Sequence, residues 1–484
     1  MKDRTSTLRA ETRDSVNKVW ALCNALKDDG VTFHQYLVEL SYLLFLKLAA
    51  ELKVEHKLPQ GCRWTALTEC PENILLERYG GLLRSLATSD SEVVSRIFSQ
   101  SRTSIKKAKT LRVLVQSIDR FAWYEISREG LGDLYEGLLE KNANEKRSGA
   151  GQYFTPRLLI DSIVRVMKPS LGDVIQDPAA GTAGFLVSAG NYIRANSDTW
   201  SDVAEKELSA IFHGVEHVDD TYSLALMNLF LHGLVNDDAV GLVYGDTLSS
   251  AGKDLPPATL ILSNPPFGTK RGGGLPDRDD LPFPTSNKQL CFVQHIISAL
   301  APGGRAAIVV PDNVLYEETV GLNVRRYMMD SCDLHTMLRL PPGLFYAASV
   351  KTHVLFITKN DGDSFQGTKE LWLYDLRGKG HGRSKSESLT EETLRAFEHA
   401  YGHDPNVGRE ARRTRRESLS DSYQVFSRAE IRERGDNLAL SIEVEPTAES
   451  QEDPEEALLL LEKSLERSMS ALRELSDMVR RGPA

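Results

Sequence analysis

Val174-Ile175-Gln176-Asp177-Pro178-Ala179-Ala180-Gly181-Thr182-Ala183-Gly184-Phe185-Leu186 decides how this 484-residue chain is read: an apolar strand, a turn of small residues, then the start of a helix. The small residues Ala179, Ala180, Gly181, Ala183 and Gly184 let a ligand approach the backbone, and the amides at the helix start face that ligand. The spacing is not GxGxxG, so two readings stay open at this point, a nucleotide-cofactor turn or a plain tight connection. Further strand-like runs follow. Ile211-Phe212-His213-Gly214-Val215-Glu216 ends in an acid 32 residues beyond Gly184. Such an acid is the usual ribose-hydroxyl ligand in doubly wound folds, or else a solvated strand-end carboxylate. Leu242-Val243-Tyr244-Gly245-Asp246 closes on an acid placed to reach a cofactor's adenine amino group, or on a plain turn. Alternating strands and helices over 148–380 predict an α/β, doubly wound, Rossmann-like core whose mostly parallel sheet offers its ligand site at the carboxyl ends of the strands.

The next apolar run, Ala258 to Ser263, leads into Asn264-Pro265-Pro266-Phe267. Asn264 offers a side-chain carbonyl, and Pro266 has no N–H to compete for the carbonyl of Pro265, so two acceptors can converge on one amino group. A planar NH₂ is a poor nucleophile because its lone pair is delocalised into the ring. Hydrogen bonds from its two hydrogens return density to nitrogen, and Phe267 can stack on an extruded base. The bland alternative is a Pro-terminated strand and turn. On its own the tetrapeptide suits adenine, cytosine or a glutamine amide.

Ahead of the Gly-rich turn lies Gly151-Gln152-Tyr153-Phe154-Thr155-Pro156-Arg157. Its aromatic faces suit a sulfonium cation. Thr155 before Pro156 also reads as a helix N-cap, and a helix start is itself a seat for a carboxylate. In this order the three motifs resemble the modification (M) subunits of type I restriction-modification systems, which are S-adenosyl-L-methionine-dependent N6-adenine DNA methyltransferases. The resemblance continues through Thr285 to Phe292, Pro302 to Ala306, Val310 to Leu315, Leu338 to Phe345 and Val350 to Thr352, and covers residues 10 to 380 well. It implies a catalytic loop of Asn264, Pro265, Pro266 and Phe267. It also implies an S-adenosyl-L-methionine site drawn from Gln152, Tyr153, Phe154, Thr155, Pro156, Arg157, Asp177, Ala179, Gly181, Thr182, Ala183, Gly184, Glu216 and Asp246. The chain departs from the pattern at Ala183, where glycine is common, and at Ala180, where cysteine is. The implied partners are double-stranded DNA, a specificity (S) subunit shared by two modification chains, and a restriction (R) nuclease-translocase subunit.

Composition agrees with a partner. With 58 basic against 68 acidic residues the net charge is −10, odd for a solitary DNA binder, because Lys and Arg contacts to phosphate dominate affinity. There is no zinc-finger spacing and no segment that reads as a dedicated base-reading domain. The 5 cysteines are scattered without a CxxC pair, as in a reduced cytoplasmic protein with no metal site. Neither a signal pattern nor a membrane span is expected, since runs such as Tyr42 to Leu46 fall far short of the roughly 20 residues required.

Four regions are expected. Residues 1–147 read as a helical domain, with Phe33, Tyr36, Leu37, Leu40, Leu43 and Leu44 and then Leu111, Val113, Leu114 and Ile118 at helical spacing, serving as a packing domain, a DNA clamp or a subunit dock. Lys141 to Arg147 reads as a polar hinge. Residues 148–380 form the catalytic domain, in which Gly268 to Asn287 is a polar loop whose Lys270, Arg271 and Arg278 could touch the target strand. Residues 381–453 read as a charged, irregular connection, with Arg409, Arg412, Arg413, Arg415 and Arg416 as a solvated linker or a phosphate strip. Residues 454–484 read as a C-terminal helix whose Leu458, Leu461, Leu465, Leu472, Leu475 and Val479 ask for a helical partner, on another subunit or on the chain itself. The competing functions are a protein glutamine N5-methyltransferase, in which the aromatic is more often Tyr; a stand-alone DNA methyltransferase, which needs its own reading domain; and a non-enzymatic DNA-binding scaffold, which leaves the spaced motifs without a purpose.

Overall fold

A computed structural model describes residues 33–121, 155–197, 200–238, 240–269, 274–345, 351–363, 366–376, 389–417 and 423–440. The expected hinge, the tail helix, Gln152 to Phe154, and Lys270 with Arg271 lie outside the described residues.

The longer helices and the strands run α1 (Phe33–Glu51), α2 (Glu72–Ala87), α3 (Glu92–Phe98), α4 (Ala108–Asp119), α5 (Arg157–Met167), β1 (Ile175–Asp177), α6 (Gly184–Ala195), α7 (Asp202–Ala210), β2 (Phe212–Glu216), α8 (Asp219–Leu231), β3 (Leu242–Tyr244) and β4 (Ala258–Ser263). They continue through α9 (Lys288–Ala299), β5 (Leu300–Pro311), α10 (Val320–Ser331), β6 (Cys332–Arg339), β7 (Thr352–Lys359), β8 (Glu370–Asp375), α11 (Glu391–Tyr401), α12 (Arg409–Glu417), β9 (Tyr423–Ser427) and α13 (Arg428–Glu433). One 9-stranded sheet has the order β3-β2-β1-β4-β5-β7-β6-β8-β9. Strands β3, β2, β1, β4 and β5 are parallel, while β7 runs antiparallel between β5 and β6. Helices on both faces bury the central strands, so Leu260, Ile261 and Leu262 of β4 and all of β6 are buried. The order reverses at β1 and β4, and in doubly wound sheets that switch point opens a crevice at the strands' carboxyl ends.

The amino-terminal helices share the core of the sheet. Leu40, Leu43 and Leu44 of α1 are buried as their spacing predicts, and the Phe45 ring lies 5.3 Å from Phe230 of α8. In α4 the buried positions are Leu111, Leu114, Val115 and Ile118, and Val113 faces out. Ser91, which caps α3, also donates to Asp237 beyond α8 at 2.7 Å.

The irregular connection expected after 380 is a correction. The described residues there include α11, α12, β9 and α13, and β9 pairs antiparallel with β8 as the outermost strand. The arginine run is partly interior. Arg415 lies 4.7 Å from the Tyr401 ring centroid and 5.5 Å from that of Tyr423, and its guanidinium donates twice to the Tyr401 carbonyl and once to Thr336 Oγ1. Arg412 pairs with the buried Asp333. A charge run reads as solvated only until aromatic faces and carbonyls supply partners inside.

Candidate active site at the sheet switch point

The acids singled out in the sequence end three adjacent strands: Asp177 closes β1, Glu216 closes β2, and Asp246 follows β3. The turn after β1 is held on every side. Asp177 Oδ1 accepts from the Ala179 amide at 3.0 Å, and Glu216 Oε2 accepts from the Gly181 amide at 2.9 Å while Oε1 takes that of Val218 at 2.8 Å. Asn228 of α8 donates to the Thr182 carbonyl at 2.9 Å, and Thr247 donates to the Pro178 carbonyl. Asp246 shapes its own turn, accepting from the Leu248 amide at 2.9 Å. Gly181 has φ +54° and Ala183, the N-cap of α6, has φ +64°. The latter is why glycine is common at that position: alanine pays roughly 1 kcal/mol or more for the left-handed region, partly offset here by its buried methyl.

The catalytic candidates lie on the neighbouring strand. Ser263, the last residue of β4, donates to Asp177 Oδ1 at 2.7 Å and so ties the tetrapeptide's base to the Gly-rich turn. Asn264 Nδ2 donates to Thr155 Oγ1 at 2.9 Å, Pro265 is buried, and the Phe267 ring meets that of Phe345 edge-on at 6.1 Å. The expected capping role of Thr155 is not the one seen: Pro156 is the N-cap of α5 and no side chain caps that helix. Arg157 forms an ion pair with Asp161 on its own helix at 2.9 Å, and Ser188 of α6 donates to the same carboxylate at 2.8 Å. The structure therefore brings Thr155, Asp177, Gly181, Glu216 and Asn264 together.

Beyond the tetrapeptide the chain returns to its starting point. The Lys288 amide donates to the Gly268 carbonyl at 3.2 Å, and Thr269 bridges to Asn287. Arg278, expected to reach a target strand, is instead interior, with a side chain 2% exposed. It makes two bonds of 2.6 Å to Asp280, one of 2.8 Å to the Thr247 carbonyl, and one of 3.2 Å to His295 Nδ1. Burial and this guanidinium push His295 down to about 3, so the ring is a neutral acceptor.

Sequence reasoning missed Ser263, Asn228, Thr247 and Phe345 as supports of the site. Asn228 stands polar within the apolar run Leu224 to Leu231, which was a readable signal; Phe345 was seen only as part of a resembling motif.

Burial, aided by the neighbouring Glu216, pushes Asp177 up to about 7 against the bonds from Ser263 and Ala179 that favour its charge. Burial raises Glu216 as well. A carboxyl whose folded-state value is raised contributes stability that is fully present below its unfolded value and is lost as pH rises through about 7. The free chain is therefore expected to lose stability between pH 4 and 8 relative to Asp177→Asn, which keeps an acceptor for Ser263, by on the order of 4 kcal/mol in all. Thermal unfolding across that range checks it; parallel curves for the two proteins contradict it.

A strand-turn-helix with buried acids thus lies beside an Asn-Pro-Pro-Phe loop braced at the switch point. The family model described as "N-6 DNA Methylase" matches residues 126–452. The chain belongs to the N-6 DNA methylase family. This methylase is 45% identical over 408 residues to the EcoKI methylase subunit of Escherichia coli K12 and to the StySPI methylase subunit of Salmonella potsdam, covering 81% of this chain and 77% of each relative. Both are named as subunits of type I restriction enzymes. It also superposes on a chain from a structure describing complex assembly and conformational transition of the type I R-M system, with TM-score 0.72 and 26% identity over 98% of this chain and 99% of that one. The methylase is thus a DNA adenine-N6 methyltransferase of the type I class.

Proposed function

We propose that this methylase binds S-adenosyl-L-methionine against the turn after β1 and transfers its methyl to the N6 of an adenine extruded from double-stranded DNA. The observation that carries the reading is the pair of bonds that tie the two motifs, Ser263 to Asp177 and Asn264 to Thr155. The residues suit the cofactor: a Cβ placed on Gly181 would meet nothing within 4 Å, so the tip of the turn is open, and the buried carboxylates of Asp177 and Glu216 favour a cation beside them. When bound, S-adenosyl-L-methionine supplies a methyl already activated by a sulfonium. The protein's share is placement. Glu216 and Asp246 hold ribose and adenine, Asn264 Oδ1 and the Pro265 carbonyl accept from the target amino group, and Phe267, its edge fixed by Phe345, lies against the base. Such orientation can supply roughly 7–11 kcal/mol of barrier reduction. No strong general base is required, because the amine becomes acidic only after transfer and its proton then passes to water.

Site choice belongs to another polypeptide. The net charge of −10 and the absence of a reading module among the described residues support a separate specificity subunit. Two methylase chains to one such subunit, docked through residues 454–484 and joined by a nuclease-translocase subunit, complete the assembly. Among the described residues no helix is long and apolar enough to cross a membrane, and a chromosomal substrate sets the cytoplasm as the working compartment. The test is methyl transfer to DNA by the chain alone and with a co-expressed specificity subunit. Activity only with the partner is the expected result, and site-specific activity of the chain alone contradicts it.

A further inference from the structure

We propose that Thr155 is a positioning residue for methyl transfer, its hydroxyl accepting from Asn264 Nδ2 and so holding the carboxamide in place beside the target amine. This rests on the adenine-methylation reading above and assigns Thr155 work other than touching the cofactor. The two ends of a carboxamide are nearly the same in size and shape, so packing alone does not choose between them. The wrong choice sets an NH₂ against the NH₂ of adenine, donor against donor, and removes an acceptor that would return electron density to N6. A hydroxyl can accept from the nitrogen end or donate to the oxygen end, so a bond to it fixes where the carboxamide sits, and the hydrogens of the target amine select the oxygen end.

Thr155 makes that bond. Asn264 Nδ2 donates to its Oγ1 at 2.9 Å across 109 residues of sequence. The hydroxyl has been released from the duty that a threonine ahead of a helix usually has, because Pro156 is the N-cap of α5 and no side-chain cap bond forms there. Its seat is stiff. Thr155 is buried and β-branched, the following proline restricts its backbone, and α5 is anchored through Leu159, Ile163 and Val164. From the other side Ser263, bonded to Asp177, fixes the backbone just before Asn264. The amide is thus braced from the Gly-rich turn through the main chain and from the start of α5 through the side chain.

The alternative, that Thr155 is a cofactor contact, gives a different kinetic signature. Removing a positioning bond lowers kcat and leaves cofactor affinity alone, whereas removing a cofactor contact raises Kd and KM with kcat kept. The experiment uses the assembled complex with its specificity subunit, DNA and S-adenosyl-L-methionine. Thr155→Val, which keeps the shape and loses the hydroxyl, is expected to lower kcat by about tenfold or more with cofactor Kd unchanged within about twofold. Thr155→Ser, which restores the hydroxyl, is expected to recover most of that loss, and thermal unfolding shows that each variant is folded. If the valine variant does not fold, Thr155→Ala against Thr155→Ser makes the same comparison. Retained kcat, a loss confined to cofactor affinity, or a serine variant no better than the variant lacking the hydroxyl each overturns the proposal. A wild-type complex that leaves adenine unmethylated overturns the functional reading beneath it, which separates the two failures.

Discussion

Asn264→Ala is expected to abolish methyl transfer, by on the order of 10²–10³-fold or more, while cofactor affinity stays within about twofold. The reason lies in what the side chain does and in where it stands. On the proposed reading it provides one of two acceptors for the target amino group, and that acceptor gains strength as positive charge develops on the attacking nitrogen, so its removal falls on kcat. The cofactor turn, by contrast, is held by Asp177, Glu216, Asn228 and Thr247 through bonds to its own backbone. Transfer of a tritiated methyl to DNA and equilibrium binding of the cofactor measure the two quantities separately. Activity within tenfold of wild type removes Asn264 from the chemistry.

Arg278→Ala is expected to cost about 3 kcal/mol of stability and to weaken cofactor binding at a distance. The guanidinium is interior, and its loss strands the Thr247 carbonyl and one face of His295, whereas Asp280, 28% exposed, recovers water. Thr247 also holds the Pro178 carbonyl, so a shift there reaches the cofactor turn. Lys253→Ala removes a pair of 3.3 Å with Asp279 whose side chains are 54% and 91% exposed, and it should change stability by less than about 1 kcal/mol. Thermal unfolding of the two variants beside wild type decides between an anchor and a surface loop: equal small effects would mean that Arg278 is not structural.

The candidate site was legible where the proposed chemistry demands particular residue types side by side. Asp177 to Gly184 and Asn264 to Phe267 are contiguous because a close backbone approach and a pair of converging acceptors are local requirements. What escaped was non-local or hidden by charge. Thr155 and Asn264 are separated by 109 residues, and nothing in either segment announces the bond between them. Arg278 and Arg415 read as solvated because sequence gives charge but not the carbonyls and rings that take it up on folding. For the same reason the sheet was expected to end near 380: β9, Tyr423–Ser427, is short and mixed in character, and its place beside β8 is earned by long-range pairing.

The most direct measurement is nucleoside analysis of DNA incubated with the methylase, its specificity partner and methyl-labelled S-adenosyl-L-methionine, beside the Asn264→Ala complex. Label in N6-methyladenine is expected with the wild-type complex and none above background with the variant. Label in methylcytosine, label on a protein glutamine, or equal labelling by the two complexes would contradict that expectation.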